Sequence, residues 1–260
     1  MASLSYREYP AAPALAALIA GYWCFRAEPP AAPTRHAVIP DGCISLVFAR
    51  APERRPAVVL GPRAEVLHVP IEPGACVFGV RFRPECGGLI LGAAASELRE
   101  LVVPLTAVSP RLAALLDGVV GAATEDAPVA VLGAALERWA EPIADARDVA
   151  VAEAVRAVIA RDGRLRLADG AAAAGLGIRQ FQRRFGSAVG LSFKEYARIR
   201  RFRAAALRLL VSDPPAAQLA ASAGYADQSH LIRESARLAG VSPQALRGYL
   251  AGIRHGPLLH

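Results

Sequence analysis

The 260-residue chain contains one lysine, one methionine and only four cysteines. Its longest stretch free of Asp, Glu, Lys and Arg, from Tyr9 to Phe25, is too short for a comfortable membrane span and is interrupted by Pro10 and Pro13. A positive n-region is missing too. Arg7 stands beside Glu8, and bulky Trp23 occupies the place where a signal-peptide cleavage site needs small residues. These absences predict a cytoplasmic protein that makes no use of a membrane. The cysteines Cys24, Cys43, Cys76 and Cys86 lie 19, 33 and 10 residues apart with no CxxC pair. Without the short spacing that presents two ligands from one turn, a zinc site is not expected, and buried reduced thiols are. His36 and His68 are isolated, which argues against a metal centre in the first half. Low hydrophobicity is also absent: 54% of residues are hydrophobic and 20% charged, so the chain is globular.

What is present is an uneven charge. The net charge is +7, yet residues 1–148 hold 13 Arg against 16 acids, while 149–260 hold 16 Arg and Lys194 against 7 acids. The excess positive charge therefore lies wholly in the C-terminal part, as expected of a polyanion-binding domain joined to a mildly acidic one. A solvated basic face is the alternative from charge alone.

Leu15, Leu18, Ile19, Tyr22 and Trp23 have helical spacing after Pro13, although Tyr22 to Phe25 could equally open a strand. After Pro29–Pro33, short β-rich runs follow at Ala37–Ile39, Cys43–Phe48, Ala57–Leu60, Val66–Pro70 and Cys76–Phe82. Turn signals at Pro40-Asp41-Gly42, Gly61-Pro62 and Pro73-Gly74 separate them, the rhythm of a small sandwich or barrel. Pro84 opens a helical region whose leucines, from Leu89 to Leu136, reach Glu141-Pro142. The domain boundary is placed near residue 146, giving 1–146 and 147–260.

From Val149 the pattern is helical, and seven helices fit between breaks at Asp162-Gly163, Gly175-Leu176-Gly177, Gly190, Asp213-Pro214-Pro215, Gly224 and Gly240. Two breaks share one grammar: a short Ala-rich helix, a glycine turn and a helix with one polar side. They are Ala168–Ala174 with Ile178–Ala188, and Pro215–Ala223 with Asp227–Ala239. Each reads as a helix-turn-helix. In the first, Ile178, Phe181 and Phe185 share an inward face, leaving Arg179, Gln182 and Arg183 to read bases, since Arg pairs with guanine and Gln with adenine. In the second, Asp227 is the expected N-cap, Leu231 and Leu238 point inward, and Gln228, Ser229, Ile232 and Arg233 face out. His230 reads either as a phosphate contact or as a structural histidine. Between the units, Ser192–Val211 forms a basic rod of roughly 30 Å. That is close to the 34 Å or so between successive major-groove faces. Lys194, Arg198, Arg200 and Arg201 on it are the candidate phosphate contacts.

Leu219-Ala220-Ala221-Ser222-Ala223-Gly224-Tyr225-Ala226-Asp227-Gln228-Ser229-His230-Leu231-Ile232-Arg233, followed by Gly240-Val241-Ser242-Pro243, resembles the signature of AraC/XylS-type transcriptional regulators. The likeness extends over residues 149–252 and includes the Arg-x-Phe-x-Arg-x-Phe stretch at 179–185. It places the family's base-reading face on the same seven residues. Ser235 and Ala236 replace an aromatic and a basic residue, Leu246 an aromatic, and Gly177 the Ser or Thr cap, so the second unit is expected to pack less firmly and the first helix to start less sharply. Pro40–Phe48, Gly61-Pro62 and Gly79–Pro84 are similar to the sensor domains of one AraC-type subgroup. The resemblance implies an α+β protein: a β-rich, cupin-like N-terminal sensor or dimerisation domain followed by an all-α domain. It implies a bacterial, non-enzymatic regulator with no cofactor or metal. Double-stranded DNA, RNA polymerase, a small-molecule effector and a second copy are the implied partners. Strand alternation gives Trp23, Phe48, His68, Phe78 and Arg81 as candidate effector-pocket residues. Two other readings remain at this stage: a Cys-based DNA alkyl-transfer repair protein carrying the same DNA-binding module, and an unregulated DNA-bending protein.

Overall fold

The computed structural model describes residues 4–28, 34–50, 57–121, 128–212 and 214–255. The Pro29–Pro33 stretch and Asp213 lie outside them. Strand β1 (Leu4–Tyr9) leads through a 3-10 turn at Pro13–Leu15 to β2 (Ile19–Ala27). Then come β3 (Thr34–Val38), β4 (Ser45–Arg50), β5 (Val58–Leu60), β6 (Leu67–Ile71) and β7 (Cys76–Phe82). Helix α1 (Gly87–Leu91), a 3-10 turn at Ala95–Leu98, β8 (Val102–Pro104), α2 (Leu105–Val108), α3 (Pro110–Gly121), α4 (Pro128–Ala140) and a 3-10 segment at Glu141–Ala146 follow. Seven helices come next, as the break pattern predicts: α5 (Val149–Ala160), α6 (Leu167–Ala173), α7 (Ile178–Val189), α8 (Phe193–Val211), α9 (Ala216–Ser222), α10 (Gln228–Ala239) and α11 (Pro243–Ala251). A last strand, β9 (Ile253–His255), ends the described chain.

The β-rich half is a seven-stranded sheet ordered β8-β5-β4-β7-β2-β1-β9 and a two-stranded sheet of β3 and β6. All pairings are antiparallel except β9, which lies parallel to β1 with Leu4 opposite Ile253. The end of the helical half thus completes the edge of the N-terminal sheet.

Five strands fall within three residues of the predicted runs, and the strand alternative for Tyr22 to Phe25 holds within β2, whereas the helical reading of Leu15 to Trp23 is a correction. Only Pro13–Leu15 is helical, and β2 takes the rest. The reason is that β2 is central and covered on both faces. Tyr22 and Cys24 join the main core while Trp23 and Phe25 line a cavity on the other side, so the run lacks the polar alternation that marks a half-exposed strand. Strands β1, β8 and β9 carry no expectation from the sequence.

One core packs one face of the large sheet, through Leu46, Phe48, Phe78, Val80 and Phe82, against Ile90, Leu91, Leu112, Leu116, Leu132 and Leu136 of the following helices. A second core, around Phe181, Phe185, Phe193, Tyr196 and Phe202, serves the helical half and takes in Ala64 from the β-rich half. The two halves touch closely elsewhere. A β-carbon on Gly42 would lie 2.6 Å from the Tyr196 ring, and one on Gly190 2.5 Å from the Ala95 carbonyl. Arg99 grips Glu195 with two hydrogen bonds, of 2.7 and 3.1 Å.

Gly163 (φ +72°) lets α8 approach the α5–α6 turn, because a β-carbon there would sit 2.0 Å from the Ala197 carbonyl oxygen. Gly175 has the same left-handed backbone (φ +64°) and open space around it. Gly175→Ala should therefore cost about 1–2 kcal/mol, from backbone strain alone. Gly163→Ala should cost clearly more, measured as paired urea midpoints; equal costs would contradict the close approach. Arg99 above all, with the Ser192 hydroxyl and amide, holds the Glu195 carboxyl down at about 2. A carboxyl lowered in the folded state adds stability that is complete above the unfolded value of about 4.3 and is lost as pH falls toward 2. Glu195→Gln should accordingly flatten the stability profile over that window while leaving its shape above pH 5 unchanged, as followed by denaturant titration at each pH.

Candidate nucleic-acid interface and effector cavity

The two helix-turn-helix units are built by the same backbone device. After α6, the Gly175 amide donates to the Ala172 carbonyl and the Leu176 amide to that of Ala171, both at 3.0 Å. After α9, Gly224 donates to Ala221 at 3.1 Å and Tyr225 to Ala220 at 2.9 Å. Each pair is a Schellman turn, closed by a left-handed glycine (φ +64° and +75°). Both second helices also end alike. Left-handed Gly190 and Gly240 stop α7 and α10, and Ser192 and Ser242 then cap the next helix by accepting from the backbone amides of Glu195 and Ala245. The chain repeats one structural sentence about fifty residues later.

These turns fix which faces look outward. On α7, Phe181 and Phe185 are fully buried and meet Phe193 edge to face, Arg179, Gln182 and Arg183 are exposed, and Ile178, expected to face inward, is exposed at the first turn of the helix instead. On α10, Leu231 and Leu238 are buried, and Gln228, Ser229, Ile232 and Arg233 are exposed. All seven sequence-selected residues stand on the surface. Asp227 caps α10, accepting from the His230 amide at 2.7 Å. Gly177 starts α7 with no side-chain cap. Ser235 is fully buried and bonds the Val241 carbonyl at 2.7 Å, and buried Leu246 fills the place of an aromatic.

Helix α8 has 19 residues, about 28 Å at 1.5 Å per residue, and joins the units. Of its candidate phosphate contacts, Lys194 is exposed. Half-buried Arg198 pairs with Glu234 at 3.2 Å, and half-buried Arg201 donates to the Gly163 carbonyl at 3.3 Å and lies 5.8 Å from the centre of the Tyr225 ring. Arg200 lines a small cavity of about 280 Å³ with Asp162 and Arg208. His230 stands edge-on to Tyr225, with ring centres 5.2 Å apart. Arg208 pairs with Asp162 at 3.0 Å.

A cavity of about 560 Å³ lies between the sheets and the helices α8 and α11. Trp23 and Arg81 line it, as expected. Phe48 and Phe78 are corrections: they pair across β4 and β7, stack at 5.3 Å and face the opposite side of the sheet, in the core. His68 is a third, exposed beside Gly240 and outside the cavity lining. Alternation along a strand selects one face or the other. Val47, next to Phe48, and Val77, next to Phe78, are the residues that reach the cavity. Trp23 fits there because Gly79, opposite it on β7, has no side chain; a β-carbon would meet the indole at 2.8 Å. Sequence reasoning missed the contribution of Arg203, Leu207 and Leu210 from α8 and of Tyr249 from α11. No strand pattern could have shown them.

Among the described residues no group of His, Cys, Asp and Glu could hold a metal ion, and no helix is long and apolar enough to cross a membrane. Residues 171–249 match the model of a helix-turn-helix domain, and residues 7–104 that of a domain of unknown function (DUF6597). No curated protein matches the chain. Among solved structures it is similar to the C-terminal domain of AraT, a response regulator from Geobacillus stearothermophilus, at 24% identity over 38% of this chain and 84% of that one, with a TM-score of 0.36. It is similar also to ToxT from Vibrio cholerae O395, at 11% identity over 96% and 98% of the two chains, with a TM-score of 0.46. The unsaturated fatty acid bound ToxT of strain SCE256 aligns at 10% identity over 98% and 97%, with a TM-score of 0.45.

The capping difference between the units is measurable. Asp227→Ala should lower stability by about 1 kcal/mol. Gly177→Ser should raise it by a few tenths, because the start of α7 lacks a cap to lose. Thermal melts of the two variants check both signs.

Proposed function

We propose that the chain is a sequence-specific, DNA-binding transcriptional regulator of AraC type, with α7 and α10 reading adjacent major-groove segments of one duplex; the match of residues 171–249 to a helix-turn-helix domain supports the reading. The carrying observation is that both recognition helices bury an apolar face and expose residues suited to base edges, Arg179, Gln182 and Arg183 on α7 and Gln228, Ser229, Ile232 and Arg233 on α10. Arg179 and Arg183 would bond guanine, Gln182 and Gln228 adenine, and Ile232 would pack on a thymine methyl. Ser229 and Arg233 complete the second face. A rod of 19 residues between the units supports a bipartite site, being close to one helical repeat of the duplex. Lys194 is the exposed cation for a phosphate on that rod, with Arg198, Arg200, Arg201 and His230 behind it.

In this reading residues 1–146 form the sensor or dimerisation part and 147–260 the DNA-binding part. The cavity between the sheets and α8 is the effector site, with Trp23 and Arg81 on its wall. A second copy and RNA polymerase complete the partners. No cofactor or catalytic residue enters the reading.

Selection of binding sites from random duplexes by the full-length protein supplies the operator. Against it, Arg179→Ala and Arg183→Ala should each cost about 1–3 kcal/mol and relax the base preference at one position. Lys194→Ala should weaken specific and random duplexes alike and reduce the salt slope by about one. Recovery of no motif, or equal losses on both duplexes for all three variants, would sink the reading.

A further inference from the structure

The effector cavity is largely apolar. Trp23, Val47, Val58, Leu60, Leu207 and Leu210 make much of its wall. Three guanidinium groups nevertheless reach it. Arg63 bonds the Glu100 carboxylate at 3.0 Å and its carbonyl at 2.8 Å. Arg81 is held by Glu8 at 2.8 Å, by Asp41 at 2.6 Å and by the Tyr6 hydroxyl at 3.1 Å. Arg203, half-buried on α8, has no hydrogen bond or ion pair among the described residues. Two histidines of the wall have partners within the protein, although the His255 Nδ1 has none among the described residues. His36 bonds the Tyr249 hydroxyl, and the His255 ring bonds the Leu250 carbonyl at 3.0 Å. Glu72 lies on an exposed turn at the cavity margin.

Around Arg203 the charges do not balance. Arg81 and Arg200 are its cationic neighbours, and the nearby acid Asp41 is already taken by Arg81. Burial first, and then the Arg81 charge, push the Arg203 guanidinium below its usual range, with Asp41 offsetting only part. A half-buried cation with no partner costs free energy unless an anion meets it.

We propose that the cavity takes an apolar molecule carrying one carboxylate, with its body against the Trp23 face of the sheet and its charge on Arg203 of α8. This rests on the effector reading above and adds the ligand's chemistry. A guanidinium offers a planar fork that matches a carboxylate, and partial burial strengthens that pair. The 560 Å³ volume suits a molecule of drug size. The counter-charge comes from the DNA-binding half, so the ligand would contact both halves at once.

The test uses full-length protein and four probes in titration calorimetry: 2-naphthoate, octanoate and the matching neutral alcohols, 2-naphthylmethanol and octanol. Each acid should bind at least about tenfold tighter than its alcohol. Arg203→Gln should abolish that difference and leave the alcohols unchanged, and Arg203→Lys should restore part of it. The free Arg203→Gln protein should melt no lower than the parent, because it loses an unpaired buried charge. Acids that bind no better than alcohols, or a preference that survives Arg203→Gln, would overturn the inference while leaving an effector site in place. Failure of all four probes to bind up to about 1 mM would overturn the inference and the sensor reading together. DNA binding measured on the same samples is independent of both.

Discussion

Helix α8 presses on the rest of the molecule at points where no side chain fits. Its Ala197 carbonyl lies against Gly163, and its Tyr196 ring lies against Gly42, two left-handed glycines from different halves of the chain. With Tyr196 fully buried, α8 cannot shift toward Gly163 without a backbone collision or toward Gly42 without driving the ring into the backbone. The helix therefore acts as an axle. The first unit packs at its start through Phe193, the second near its end through Leu209, and its flank closes the cavity through Arg203, Leu207 and Leu210.

That placement gives the charge of α8 several separate tasks. A basic helix between two DNA-binding units invites the assumption that every cation on it faces phosphate. Arg198, Arg201 and Arg208 instead bond Glu234, the Gly163 carbonyl and Asp162, and so fasten α8 to α10 and to the α5–α6 turn. Glu195, the sole acid on the helix, is spent on Arg99 and Ser192, tying the helix start to the β-rich half. The excess of positive charge in the last 112 residues is thus partly structural mortar, and its exposed cations include Arg179 and Arg183 on α7, Arg233 and Arg237 on α10, and Lys194.

The helical half was largely legible in the sequence because its signals are local. A left-handed glycine, a capping Asp or Ser and an aromatic pair at i and i+4 act within one or two turns, so Gly175, Gly224, Asp227, Phe181 and Phe185 could be read one element at a time. The missing cap at Gly177 was legible for the same reason. The β-rich half was less so. Strand β2 mimicked a helix because both of its faces are covered, and β9 is three residues that become a strand only on meeting Leu4–Tyr6, some 250 residues away.

By itself the sequence determined the class of the molecule: two helix-turn-helix units on a basic rod, their outward residues and a β-rich partner. Periodicity and caps are properties of neighbours along the chain, and those decide which side of a helix is polar. Only the tertiary structure decided which face of each strand meets a cavity and which meets the core, and therefore that Trp23 and Arg81 share a site from which Phe48 and Phe78 are excluded. It alone brought Arg203 to that site without a partner, because whether a charge is paired depends on what folds against it from far along the chain.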